Sequence, residues 1–258
     1  SLCNPIIMAN LIKLRKGLDV NLKGKAAKEE FQVKKPAVYA LMPDDFTGMK
    51  PKVVVKENDV VKVGDSLFVD KNHPEIKFVS PVSGRVTMVE RGDRRKVLSV
   101  RVEADAEQQY VDFGKKNVGQ MTAQEVKDLL LESGLFGFFR QRPYDVTANP
   151  SDTPKAIFVS AFNSMPLAAD FEYVLRGREA DFQAGLDALA KMAKTYLGVS
   201  SKQTATALTA AKNVEINFFD GPAPAGNVGV QINRVSPINK GEVVWTLGAE
   251  EVIFIGHL

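Results

Sequence analysis

Cysteine and histidine are nearly absent: Cys3, His73 and His257 are the only three in 258 residues. One thiol excludes a disulfide framework and a protein-held iron–sulfur cluster, since both need several. Nor do one cysteine and two histidines make a convincing metal set. Equally missing is any apolar run approaching the roughly 20 residues that cross a bilayer, so the expectation is a soluble or peripheral chain. Ser1–Ile7 lacks the basic start and long apolar stretch of a signal peptide. With Met8 as a candidate start, residues 1–7, Cys3 included, read as an upstream remnant. A basic block is lacking too, because 34 Lys and Arg are spread among 31 Asp and Glu for a net charge of +3. That is a weak footprint for nucleic acid. Ser200, Ser201 and Thr206–Thr209 have no neighbouring base, and His257 near the end is a poor triad partner for them.

What is present fits a folded chain of about two domains, with 45% hydrophobic and 25% charged residues. From "LIKLRKGLDVNLKGK" onward, short apolar groups alternate with Lys and Gly and suggest small strands joined by turns. β-Branched runs follow, broken at Asn58-Asp59, Gly64-Asp65, Gly84 and Gly92-Asp93, residues that let a chain reverse tightly. Together they predict a compact β-sandwich or barrel over 8–104. The polar, weakly periodic stretch 105–121 reads as a linker.

A different grammar begins at 122. Thr122 and Glu125 have capping-box spacing, and Gly134 can supply the left-handed stop of the helix they open. "AIFVSAF" (156–162) and "VEINFFD" (214–220) read as buried strands, and "DFEYVLRGREADFQAGLDALAKMAKTYLG" as helix with a turn near Gly177. Helices alternating with apolar strands predict a Rossmann-like α/β domain over 122–235 with a parallel sheet, so the fold class is mixed α+β. Residues 236–258 end on "GEVVWTLGAEEVIFIGHL", a strand pattern that reads as the start of a further β element.

Two motifs in the first domain are more particular. "VKVGDSL" (61–67) and "SPVSGRV" (80–86) resemble the entry and exit strands of biotinyl/lipoyl carrier domains. In those carriers the modified lysine lies about eight residues before the motif proline, a register that here falls on His73, with Lys71 and Lys77 off register. Histidine cannot take an amide-linked cofactor. A β domain without a swinging arm is the expectation.

Longer matches then accumulate: "IKLRKGLDVNLKGKA", "SPVSGRVTMVERGDRR", "ESGLFGFFRQRPY", "VSAFNSMPLAAD" and "GPAPAGNVGVQI". With these the chain resembles the NqrA family, one of the components of the sodium-translocating NADH:quinone oxidoreductases (Nqr complexes), over nearly its whole length from Met8. The resemblance implies an α/β domain related to the flavin-binding domain of the complex I and Rnf NADH-oxidising subunits, yet without a flavin. It implies a peripheral component that docks on the membrane protein NqrB and on other Nqr subunits, at the cytoplasmic face of the bacterial inner membrane. NADH, flavins and quinone are then used by the complex, with NADH oxidised at NqrF, and no cofactor is held by this chain.

The residues offer a separate check on flavin. A flavin phosphate needs close glycines whose N–H groups approach an anion. Here "GLFGFFRQRPY" follows Gly134 and Gly137 with bulky side chains, and "SAFNSMP" (160–166) has no carboxylate where the flavin-binding relatives carry an acidic run. "GPAPAGNVGVQI" lacks the G-x-G-x-x-G order, and the family pattern has histidine where Ala223 and Gln231 stand. Phe136, Phe138 and Phe139 beside Arg140 and Arg142 combine flat apolar faces with donors for a carbonyl, which makes them quinone-proximal candidates. Core packing with arginines paired to acids is the competing reading of the same five residues. At the level of function, a cofactor-free component of a sodium-pumping complex competes with an independent NAD- or flavin-binding oxidoreductase, and the missing glycines and acids favour the former.

Overall fold

The computed structural model describes residues 10–258, so the expected remnant 1–7 lies outside the described residues. In chain order the strands are β1 (Leu11–Lys13), β2 (Val38–Leu41), β3 (Pro51–Val53), β4 (Val60–Val61), β5 (Ser66–Asp70), β6 (Lys77–Val79) and β7 (Gly84–Arg91). After them come β8 (Val97–Ala104), β9 (Arg140–Arg142), β10 (Val146–Thr147), β11 (Ile157–Ser160), β12 (Thr195–Ser200), β13 (Glu215–Asp220) and β14 (Val244–Gly248). The α-helices are α1 (Ala123–Ser133), α2 (Phe171–Leu175), α3 (Glu179–Met192), α4 (Thr206–Thr209), α5 (Val228–Val235) and α6 (Ala249–His257). These elements fall into two units with discontinuous boundaries.

The α/β unit gathers residues 10–30, 117–123 and 153–258. Five strands run in the order β1-β13-β12-β11-β14, all pairs parallel. Parallel strands covered on both faces read as continuous apolar runs, and β11 conforms with Ile157, Phe158 and Val159 all buried. Val159 sits in register with Leu197 on one side and Leu247 on the other. Below one face Phe158 stacks on Tyr196 at 4.7 Å, packed with Ile232 of α5 and Val244. Helices α3 and α6 approach closely because Gly185 and Gly256 leave no side chain between them. A Cβ on Gly185 would meet the Val252 carbonyl, and one on Gly256 the Asp181 carbonyl. Following the chain, β11, β12 and β13 step outward in one direction, and the chain then returns through α5 to lay β14 on the far side of β11. The strand order therefore reverses between β11 and β14, the position where open α/β sheets leave a crevice at the carboxyl ends of their strands.

Three sequence expectations change here. Residues 11–13, read as the opening of the β domain, form an edge strand of the α/β sheet, with Leu11 opposite Phe218. "TYLG", read as the end of a helix, opens the buried strand β12. The terminal β element expected over 236–258 resolves into β14, an integral strand of the parallel sheet, followed by helix α6.

The β unit holds residues 31–116 and 124–152. Its sheets are four-stranded, β2-β8-β7-β4, and three-stranded, β3-β5-β6, all antiparallel. Leu67, Phe68, Ile76, Phe78, Val86, Val100 and Val102 fill the interior. Residues 105–116 of the polar stretch expected as a linker are tied to this unit: Val63 donates to Gln109 O (2.9 Å), Val111 donates to Val63 O (2.9 Å), and Gln109 N–H donates to Ser83 Oγ (2.8 Å). Most of α1 and the loop after it also belong here rather than to the α/β unit expected from residue 122. Helix α1 stops at Gly134, whose φ of +79° is the left-handed conformation a C-terminal stop requires.

Candidate functional site

A cleft of about 460 Å³ opens at the strand-order reversal of the α/β unit. Its floor is the carboxyl ends of β11 and β14, at Ser160, Thr246 and Leu247, and its walls are the 161–165 loop and the first residues of α5 and α6. The two loops singled out in the sequence, "SAFNSMP" and "GPAPAGNVG", meet here. Gly226 N–H donates to Ser164 Oγ (3.1 Å), and a Cβ on Gly226 would strike the Ser164 amide at 2.7 Å, so only glycine permits this approach. Ser160 is held from beneath: Gln231 Nε2 donates to its Oγ (2.9 Å), and that hydroxyl lies 3.0 Å from both Phe162 O and Gly226 O. Gln231 Nε2 also donates to Ala225 O (3.1 Å), while its Oε1 is buried against Gly198 without a hydrogen-bond partner.

The electrostatics of the cleft disfavour a phosphate. Anion sites at helix N-termini use free N–H groups, but at α5 Asn227 Oδ1 accepts from the amides of Gly229 (2.9 Å) and Val230 (3.4 Å). At α6 the N-cap Gly248 makes no side-chain cap, and the Glu251 carboxylate lies where a Cβ on Gly248 would stand. Glu251 Oε2 is sheltered without a hydrogen-bond partner, although the residue as a whole is only partly buried. Burial pushes the Glu251 carboxyl up from its ordinary value and the charge of Glu250 adds to this, against a lowering hydrogen bond from its own backbone. Among the described residues Glu250 is the one charged residue lining the cleft, and no Lys or Arg lines it. A flavin phosphate brought here would find α5 already capped by Asn227 and no Lys or Arg among the described lining residues, so the residues present do not fit that group. The cleft can instead hydrogen-bond a neutral polar molecule through Asn163 and Ser164.

The five quinone-proximal candidates lie in the β unit, in the 3₁₀ turn Phe136–Phe138 and in the residues that follow it into β9. Phe136 and Phe139 are fully buried with ring centroids 5.4 Å apart. Phe138 is 38% exposed and sits edge-on to Phe46 at 5.9 Å. Arg140 donates from Nε to Asp145 Oδ1 (3.2 Å) and from its terminal nitrogen to Asp145 O (2.8 Å). Arg142 Nε lies 3.2 Å from the same Oδ1 as an ion pair, without the alignment of a hydrogen bond. The arginines thus converge on one acid, and only Phe138 of the three rings is substantially exposed.

His73 occupies the turn between β5 and β6, where its carbonyl accepts from Ile76 (2.9 Å) and its Nδ1 is 3.8 Å from Glu75. Lys77 pairs with Glu132 at 2.8 Å. His257 is engaged with Asp181 at 3.2 Å. Among the described residues no cluster of His, Cys, Asp and Glu could hold a metal ion. Sequence reasoning missed the cleft because its floor is defined by strand order; the polar run Ser160, Asn163, Ser164 after a buried strand was the available signal.

A Rossmann-like unit with a phosphate-unfriendly crevice, joined in one chain to a barrel-sandwich domain with His73 in its β5–β6 turn, defines a narrow class. The chain matches the model of the NqrA N-terminal barrel-sandwich hybrid domain over residues 12–105 and that of the NqrA second alpha/beta domain over 121–258. The chain belongs to the NqrA family. It is 35% identical over 254 residues to the A subunit of the Na(+)-translocating NADH-quinone reductase of Yersinia pseudotuberculosis, covering 96% of this chain and 56% of that protein. The corresponding proteins of Pseudomonas aeruginosa and Saccharophagus degradans are 34% and 36% identical over 251 residues, with the same coverage. The chain therefore spans about half the length of the curated relatives it matches.

Proposed function

We propose that this chain acts within the NqrA component of a sodium-translocating NADH-quinone reductase, as a peripheral part that docks on the other subunits, NqrB among them, at the cytoplasmic face of the bacterial inner membrane. It holds no flavin or nicotinamide; those groups and quinone are used by the complex. The observation that carries this reading is the cleft at the β11–β14 reversal, which keeps the position of a nucleotide site while offering Glu250 and a capped α5 instead of phosphate ligands. That arrangement speaks against an independent NAD- or flavin-binding oxidoreductase. No helix among the described residues is long and apolar enough to cross a membrane, in keeping with a peripheral role. The test is to add the purified chain to detergent-solubilised complex depleted of NqrA. Co-migration on gel filtration with no flavin absorbance in the free chain is expected; a flavin band that survives gel filtration of the free chain, or failure to co-migrate, refutes the reading.

A second reading concerns Phe138, favoured by its exposed ring beside Arg140 and Arg142. In it a quinone ring lies against Phe138, while Phe136 and Phe139 support the turn from within.

A further inference from the structure

Residues 13–28 contain six Lys or Arg and one Asp, a net charge of +5, so the remainder of the +3 chain sums to −2. This positive excess sits on a segment with no regular structure after β1. It is nonetheless held at both ends. Leu18 N–H donates to Ala223 O (3.1 Å), Ala223 N–H donates to Asp19 Oδ1 (2.8 Å), and Lys28 pairs with Asp170 at 2.8 Å. Between these anchors every residue of 20–27 is exposed, and among the described residues nothing hydrogen-bonds to their backbone. Leu18, Val20 and Leu22 are 81%, 60% and 50% exposed. The chain runs without a bend from 17 to 22 and turns at Lys23–Gly24, where Gly24 has a φ of +90°; alternate side chains of an extended stretch share one face, so these three form a short apolar row flanked by Lys16, Lys23 and Lys25.

An anchored, extended segment with unpaired N–H and C=O groups and a period-two apolar row has the properties of a free strand edge. We infer that residues 18–22 dock by strand addition onto an acidic sheet edge of another protein of the complex, which supplies the backbone partners while its Asp and Glu side chains meet the flanking lysines. The charge excess selects an acidic occupant. The unsatisfied backbone selects a protein strand over lipid, because acyl chains offer an extended segment no hydrogen-bond partners. This inference rests on the docking reading above and names the segment that carries it.

Hydrogen exchange separates the outcomes. In the free chain, amides of 20–27 should exchange almost as fast as an unstructured peptide. On adding the complex depleted of NqrA, those of 20–22 should slow by about tenfold or more. Asn21→Pro, which removes one backbone donor that no described residue uses, and Lys23→Glu/Lys25→Glu should each weaken binding about tenfold, equivalent to ~1.4 kcal/mol. Unchanged urea midpoints for both variants confirm that folding is intact. If the chain binds while 20–22 stay unprotected, the inference falls and the docking reading stands. If it does not bind, both fall. Equal protection by phosphatidylglycerol vesicles alone assigns the segment to a lipid surface and overturns strand addition.

Discussion

Glu251 is the residue whose environment most opposes its charge, since its Oε2 is sheltered over Gly248 with no hydrogen-bond partner. Burial raises its carboxyl above the ordinary 4.5, so between 4.5 and the folded value the native state holds more protons than the unfolded chain. Its stabilising contribution is complete below about pH 4.5 and is lost as pH rises through the folded value. Glu251→Gln keeps the shape without the charge; urea midpoints across pH 4 to 8 should show a flatter profile and higher stability at neutral pH than the parent. Asp170 has the opposite sign. The hydrogen bond from Lys28 is the largest cause holding it below its ordinary 3.8, so its contribution is present above that value and lost as pH falls through the folded one. Both partners are about half exposed, which limits Lys28→Ala to about 1 kcal/mol or less. The aromatic turn divides in the same residue-by-residue way. Phe139→Ala should cost about 3–5 kcal/mol in urea unfolding, as expected at a buried site. Phe138→Ala should leave the midpoint within about 1 kcal/mol while lowering quinone affinity roughly 5- to 150-fold. Unchanged quinone affinity in Phe138→Ala would retire the quinone-proximal reading of that ring.

At the scale of elements, α3 and α6 depend on glycine at their contact. Gly185→Ala places a methyl against the Val252 carbonyl and should destabilise the chain by about 1–3 kcal/mol, readable as a lower urea midpoint. The helix α6 that receives this contact is also where local sequence signals mislead. "VIFI" is a β-branched and aromatic run that reads as strand, while Glu250 and Glu251 in the first turn, favourable at a helix N-terminus, point to helix; packing against α3 decides the matter. In β12 the error runs the other way, because "MAKTYLG" continues the apolar spacing of α3 and the break lies at Ala193, with no glycine or proline to announce it. Elements whose signal is local were legible: β11 and β13 as buried apolar runs, and α1 with its stop at Gly134. Strand order was not, and the cleft depends on it. Ser160, Asn227 and Gln231 converge only because β14 inserts beside β11 and α5 crosses back beneath it. The five residues at 136–142 were legible as a cluster, but their division into two buried rings, one exposed ring and two arginines sharing Asp145 follows from the turn geometry.

At the scale of the whole chain, its two units are not two consecutive stretches of sequence. Residues 10–30 belong with residues 153–258, and β1 enters the parallel sheet beside β13 across about 200 residues of intervening chain. Leu14 continues this attachment. Its N–H donates to Asp220 O (2.8 Å), and its side chain is 7% exposed in a cluster with Phe219 and Ala225. The α/β unit should therefore unfold earlier when Leu14 is truncated, even though most of its residues lie far downstream. The single tryptophan reports on this unit directly, because Trp245 is buried in β14. Leu14→Ala should lower the urea midpoint read by Trp245 fluorescence by an amount equivalent to about 2–5 kcal/mol, the range for removing a buried leucine side chain. A chain of two units need not unfold in one step, so the fluorescence transition is compared with far-ultraviolet circular dichroism on the same samples. If the fluorescence midpoint stays at the parent value while the dichroism shifts, residues 10–14 stabilise the β unit instead, and the sheet order with β1 at its edge is wrong.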